Sequence, residues 1–356
     1  MNKKIAVLAG DGIGPEVVAE AIKVLDAVGK TYNHTFTYTY LPVGGDAIDT
    51  EGVPLSDTTL EEIQKNDAVL LGAVGGPKWE SVAVEIRPEA GLLKLRKELG
   101  LFANLRPIEV YKSLVDKSPI KSEIVEGTNI LFVRELTSGI YFGTPRERQD
   151  GGDTAVDTSR YTKQEVIDVA HIAFQHARQR NKKVTSVDKA NVLETSRLWR
   201  ETVTALHEEQ YADIELEHMY VDNASMQIIK RPTAFDVVLT ENMFGDILTD
   251  EASVLAGSIG LSPSASIGKK NISMYEPIHG SSPKHAGQNK ANPIGTILSV
   301  AWMLRLSFQM DKEAKAVEDA VQNVLANGAR TYDIAGTGEN SMTTTQMGDI
   351  IADTIK

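Results

Sequence analysis

The chain has 356 residues, 42% of them hydrophobic, enough for one large domain or two medium ones. A formal net charge of -12 argues against nucleic acid or an anionic membrane as the main partner, so an anionic substrate must rely on local arginines. The absence of cysteine removes disulfides, thiol nucleophiles and thiolate metal sites and suits a reducing compartment; any metal must be held by oxygen or imidazole.

The first apolar run, residues 5–9, reads as a buried strand. Asp11 ends it too soon for a signal peptide. No run approaches the ~18 apolar residues of a membrane span. The expectation is a soluble, cytoplasmic protein. Gly10-Asp11-Gly12-Ile13-Gly14-Pro15 follows, then a helix with Pro15 in its first turn. The glycines do not make a dinucleotide fingerprint. Pro15 and Val17 stand where the last glycine of the two possible frames is needed, and no acid lies at the end of a second strand. The loop reads as a tight turn near a site.

Residues 35–40 alternate like a strand, 68–71 form a second buried strand, and 72–77 a loop. Residues 88–99 are helical, within "RPEAGLLKLRKELGLFANLRP". At about 100° per residue, Glu89, Leu92, Leu93 and Arg96 share one arc, while Leu95 and Leu99 lie toward its side and serve the core. Arg106 precedes Pro107, and Arg134 closes "ILFVRE". Alone, each arginine reads as a snorkelling or surface residue. Three arginines beside apolar stretches favour a dicarboxylate ligand, because the guanidinium fork donates two parallel hydrogen bonds.

Residues 130–133 and 140–142 read as strands around a turn at Ser138-Gly139, and 149–159 as a protruding arm or loop. Residues 164–180 form a helix, 184–187 a strand, 196–207 a helix and 235–239 a strand. Helices follow at 246–255, 293–310 and 313–327. Strands alternating with helices give an α/β fold, with no linker dividing the chain. In "ENMFGDILTDEA", Asp246 and Asp250 are one turn apart. The pair reads either as a solvated acidic face or as ligands of Mg²⁺ or Mn²⁺, with Asp222 of "MYVDNASMQ" a third. Lys189 in "SVDKANVLE" and Tyr141 in "SGIYFG" read alone as a surface lysine and a packed tyrosine, or else as proton-transfer groups.

These stretches, with "LAGDGIGPEV", "LLGAVGGPKW" and "EPIHGSSP", form a colinear series over essentially the whole chain. The series resembles the isocitrate/isopropylmalate family of metal-dependent, decarboxylating β-hydroxyacid dehydrogenases, and its isopropylmalate branch most closely. The resemblance implies a three-layer α/β/α fold with a large mixed sheet, not a Rossmann fold. Residues 1–103 plus 257–356 would form the cofactor-binding domain with both chain ends. Residues 104–256 would carry the dimer interface and the metal and substrate residues. The implied reaction converts (2R,3S)-3-isopropylmalate to 4-methyl-2-oxopentanoate and CO₂ with reduction of NAD(P), a step of leucine biosynthesis.

The resemblance also implies a homodimer with shared sites, in which Lys189 and Asp222 reach into the partner's site. Arg96, Arg106 and Arg134 would bind the malate carboxylates, and Asp222, Asp246 and Asp250 the metal. Leu92 and Leu93, with Val192 from the partner, would hold the isopropyl group. Isocitrate enzymes carry serine and asparagine on this helix. Here a third carboxylate would meet leucines, at a cost of several kcal/mol. Lys189 would accept the hydroxyl proton and Tyr141 return one to carbon. Glu89 and Ile13 would lie near the nicotinamide end. The rest of the cofactor would sit against Glu276, His279, Gly280, Ser281, Ser282, Asn292 and Asp333.

One departure concerns the adenosine end. Most isopropylmalate enzymes have aspartate at the position of Lys284 and an apolar residue at that of His285. Lysine has no acceptor for ribose hydroxyls. The NADP-using isocitrate enzymes share Lys284, Tyr332 and a partner-subunit Arg231, although a second arginine of their pattern is Gly336 here. The expectation is a 2′-phosphate pocket and a preference for NADP, with NAD use the alternative. The rival readings are a sister enzyme acting on isocitrate, homoisocitrate, tartrate or D-malate, and a non-catalytic cofactor-binding subunit.

Overall fold

The computed structural model describes residues 1–270 and 272–356. The chain divides into two compact units. The first comprises Met1–Leu101, Tyr111–Pro119 and Ala256–Lys356, the second Phe102–Val110 and Ile120–Leu255. Twelve strands occur among the described residues. In chain order they are β1 (Asn2–Gly10), β2 (Thr35–Tyr40), β3 (Ala68–Ala73), β4 (Leu101–Glu109), β5 (Asn129–Glu135), β6 (Glu147–Gln149), β7 (Thr154–Val156), β8 (Lys183–Asp188), β9 (Glu215–Tyr220), β10 (Val237–Thr240), β11 (Pro263–Gly268) and β12 (Met274–Pro277).

In the first unit the strand order is β2-β1-β3-β12-β11, parallel except for the antiparallel β11–β12 pair. Parallel strands covered on both faces read as continuous apolar runs, and β3 is buried along its whole length. The helix Ile294–Leu306 is apolar on nearly every side and almost wholly buried, the mark of a core helix rather than a surface one.

The second unit orders its strands β4-β5-β10-β8-β9, antiparallel only at β4–β5. The strands of each unit are therefore mixed in direction, and the expected α/β class holds. β4, β6, β7, β9, β11 and β12 were not expected. Pro107 lacks an N–H and argues against a strand, yet it sits opposite Leu131 in the β4–β5 pair.

Residues 140–142 are not a strand. Gly139 has φ +74° and the chain makes one 3-10 turn over Gly139–Tyr141. The polar stretch after it holds β6 and β7, paired antiparallel. No helix among the described residues is long and apolar enough to cross a membrane.

Candidate functional site

In the first unit the opening loop is built around Asp11. Its buried carboxylate accepts hydrogen bonds from the backbone N–H groups of Gly45 (2.8 Å), Asp46 (2.9 Å) and Gly75 (2.7 Å). Burial pushes this carboxyl up, and the three donors hold it partly down. Gly12 has φ +60°, and a Cβ there would lie 2.0 Å from the Ser281 carbonyl oxygen, so only glycine fits. The next residue, Ile13, donates its N–H to that same carbonyl at 2.8 Å.

This contact closes one side of a cavity of about 280 Å³. Ile13, His279, Ser282, His285, Asn292, Tyr332 and Asp333 line it, together with Ser258, Ile259, Gly260, Lys290 and Ala291, which sequence reasoning missed. Asp333 accepts from Asn292 (3.1 Å), Thr331 (2.5 Å) and Ser258. His279 donates from Nδ1 to the Gly280 carbonyl, an assignment made from that contact. Its Nε2 is buried without a partner, and burial holds the ring neutral. It is thus a buried acceptor left unused beside the cavity that His279 helps to line.

Lys284 is exposed and is not among the lining residues. Lys290 is, with its ammonium 5.7 Å from the Tyr332 ring centroid. Glu16, in the first turn of the helix Gly14–Tyr32, accepts from the N–H groups of Gly287 and Asn289 and ties this loop to the helix. Gly280 is exposed.

Glu276 turns elsewhere. It accepts from Arg96 at 3.3 Å, and both residues are 9% exposed. The helix Pro88–Leu99 starts at a proline and stops at Gly100, in the left-handed conformation. It buries Leu95 and Leu99 and leaves Leu92 and Leu93 half-buried and Glu89 exposed. Arg96 Nε is buried with no partner, a donor fitted to an incoming anion.

In the second unit the pleat sets the geometry. Asn104 and Arg106 alternate onto one face of β4, and Arg134 of β5 stands opposite Asn104 on that face. Arg106 donates to Asn104 and Thr249, both at 2.7 Å, and lies 3.7 Å from both Asp246 and Asp250. Arg134, 1% exposed, donates to Asp246 at 2.5 Å and twice to Asn242 at 2.8 Å. Tyr141 donates to the other Asp246 oxygen at 2.7 Å. Burial, then the Asp246 carboxylate, pushes the Tyr141 hydroxyl up to about 12, so it stays a proton donor at neutral pH.

Asp222 opens the helix Val221–Lys230 and pairs with Lys189, whose ammonium holds its carboxyl below the usual range. Among the described residues, no three His, Asp or Glu side chains come together as a metal cage. Val192 is 60% exposed, and Arg231 is exposed with its Nε on Gln227 at 2.8 Å.

Residues 4–351 match the family model described as isocitrate/isopropylmalate dehydrogenase. The chain belongs to that family. It is 53% identical to a 3-isopropylmalate dehydrogenase of Shouchella clausii, covering 100% of this chain and 98% of the relative. It is 56% identical to one of Moorella thermoacetica, covering 98% of each. Among solved structures, an isocitrate dehydrogenase of Methylococcus capsulatus superposes with a TM-score of 0.87 at 33% identity, covering 99% of both chains. A β-decarboxylating dehydrogenase of Thermococcus kodakarensis gives 0.80 at 35%, covering 99% of this chain and 96% of that one. Family membership makes the chain an NAD(P)- and metal-dependent decarboxylating dehydrogenase.

Proposed function

We propose that the protein oxidises and decarboxylates (2R,3S)-3-isopropylmalate to 4-methyl-2-oxopentanoate, in leucine biosynthesis. The observation that carries this reading is the helix Pro88–Leu99. It presents half-buried Leu92 and Leu93 one turn before buried Arg96, whose Nε lacks a partner. That pairs a seat for a branched alkyl group with a donor for a carboxylate, and offers a third carboxylate no polar partner. Arg106 and Arg134 supply the remaining guanidinium donors.

The polar groups present fit both implied ligands. Asp246 and Asp250, one turn apart, are hard oxygen donors suited to Mg²⁺ or Mn²⁺, with Asp222 contributed by a second copy of the chain. When bound, the cation would supply a Lewis acid at the C1–C2 end of the substrate, and the nicotinamide the hydride acceptor. The chain's own groups then handle protons and charge. The Lys189 amine takes the proton of the C2 hydroxyl as C2 becomes a ketone. The arginines hold the carboxylates in line while the C3 carboxylate leaves as CO₂. The Tyr141 hydroxyl returns a proton to C3.

Two further readings belong to this proposal. Among the described residues of one chain, Asp222, paired with Lys189, does not join Asp246 and Asp250 as a group of three metal ligands, and Val192, Leu193, Met226, Ile247 and Val254 expose apolar surface on the second unit. Both observations favour a homodimer with composite sites, and the cysteine-free composition favours a reducing compartment, the cytoplasm. His285, Lys290 and Tyr332 at the cavity, with Lys284 outside it and Arg231 from the partner, favour NADP through its 2′-phosphate. Initial rates with Mg²⁺ on isopropylmalate, isocitrate, homoisocitrate, tartrate and D-malate, each with NADP and NAD, test both assignments. Highest kcat/KM on isopropylmalate with NADP is expected. Preference for another acid overturns the substrate, and preference for NAD overturns the phosphate pocket.

A further inference from the structure

The helix Asn242–Ser253, which carries Asp246 and Asp250, begins with a buried asparagine to which the chemistry above gives no part. Asn242 is 0% exposed, and each of its polar groups is engaged. Its carbonyl oxygen accepts from Arg134 Nε and its Oδ1 from Arg134 Nη2, both at 2.8 Å. Its Nδ2 donates to the Ser138 carbonyl at 3.1 Å, and its backbone N–H donates to the Tyr161 hydroxyl at 3.0 Å.

Capping does not explain these contacts. Glu241 caps the helix, its carboxylate accepting from the Phe244 N–H at 2.5 Å. What the partners share is adjacency to reacting groups. Arg134 holds a substrate carboxylate and Asp246. Ser138 opens the turn that carries Tyr141. Tyr161 donates to Glu241 and packs on that same turn, where a Cβ on Gly139 would lie 2.3 Å from its hydroxyl oxygen. An amide is the one short side chain with an acceptor and a donor side by side. Here the acceptor faces a guanidinium and the donor faces a carbonyl.

We propose that Asn242 is a positioning residue that sets the carboxylate-binding Arg134 and the proton-donating Tyr141 turn in one register. The proposal rests on the roles assigned to those two residues above. Aspartate at this position would keep the acceptor for Arg134 but set a second oxygen against the Ser138 carbonyl, and its charge would draw on the arginine meant for substrate. Alanine would remove both side-chain contacts and leave Arg134 only the bond to the main-chain carbonyl.

The test uses the intact enzyme with its metal and cofactor. N242A and N242D are compared with the unsubstituted protein, and N242A again in a Y141F background. Expected are a roughly 10²-fold fall in kcat, a raised KM for the hydroxy acid, an unchanged KM for the nicotinamide cofactor, and a larger solvent deuterium effect on kcat. In the Y141F background the kcat penalty of N242A shrinks while its KM penalty persists, because coupled residues are non-additive. Equal kcat penalties in both backgrounds would overturn the proposal, as would unchanged kinetics with only a lower melting temperature. Y161F, which keeps the ring packed edge-on to Trp199, carries the same expectations more weakly and serves if N242A does not fold. A wrong substrate assignment would show separately, in the unsubstituted enzyme, and the ratios would then be read on the acid that is turned over.

Discussion

Replacing Glu16 with alanine tests whether the cofactor cavity depends on a strut outside it. The Glu16 carboxylate accepts from Gly287 N–H and, at 3.1 Å, from Asn289 N–H. Both donors are left-handed, at φ +73° and +55°, so the loop between Ser282 and Ala291 is shaped by residues that need an external hold. Hydrogen bonds to a charged acceptor contribute about 1.5–3 kcal/mol each when buried. These are exposed, and solvent screening reduces them to about 1 kcal/mol each. Losing both loosens the loop by about 2 kcal/mol, or roughly 30-fold in the population of the binding-competent form. The Kd for the nicotinamide cofactor, followed by fluorescence titration, should therefore rise roughly 10- to 30-fold. KM for the hydroxy acid and the melting temperature should change little. E16Q, which keeps one acceptor, should fall between. An unchanged cofactor Kd beside a raised KM for the hydroxy acid would refute this reasoning.

Glu135 predicts a pH dependence of stability. It is 1% exposed, and burial pushes its carboxyl up to about 7 despite donors at Thr137 and Ser138. Its folded-state pKa lies above the unfolded one, so its contribution is fully present below about pH 4.3 and is lost as pH rises through 7, about 3 kcal/mol in all. Urea unfolding at pH 5 and pH 8 should show a smaller pH difference for E135Q than for the unsubstituted protein; equal differences would contradict this. Composite sites predict complementation. K189A and D250N homodimers should each be nearly inactive, and unfolding and refolding them together should restore roughly a quarter of full activity through mixed dimers with one intact site. No recovery on mixing would sink the shared-site reading.

The α/β class, most of the long helices and six of the twelve strands, β1, β2, β3, β5, β8 and β10, were legible because buried parallel strands and amphipathic helices leave simple periodic marks. β4 was not, since Pro107 breaks the pattern locally while the pairing with β5 tolerates it. The 3-10 turn carrying Tyr141 read as strand because Ile140 and Phe142 flank a tyrosine, and only the positive φ of Gly139 redirects the chain. Arg106, Arg134, Asp246 and Tyr141 were named from sequence, and the structure brings them together. Their supports were missed for a physical reason. Asn104, Thr249 and Asn242 act through tertiary hydrogen bonds that have no spacing signature. Glu16 and Lys290 likewise act through contacts between segments distant in sequence.

The most direct test of the central claim is product stoichiometry. Purified protein is incubated with (2R,3S)-3-isopropylmalate, Mg²⁺ and NADP, while reduced nicotinamide, CO₂ and keto acid are followed together. The account predicts equimolar NADPH, CO₂ and 4-methyl-2-oxopentanoate. Reduced cofactor without CO₂, or no turnover with either NADP or NAD, would contradict it.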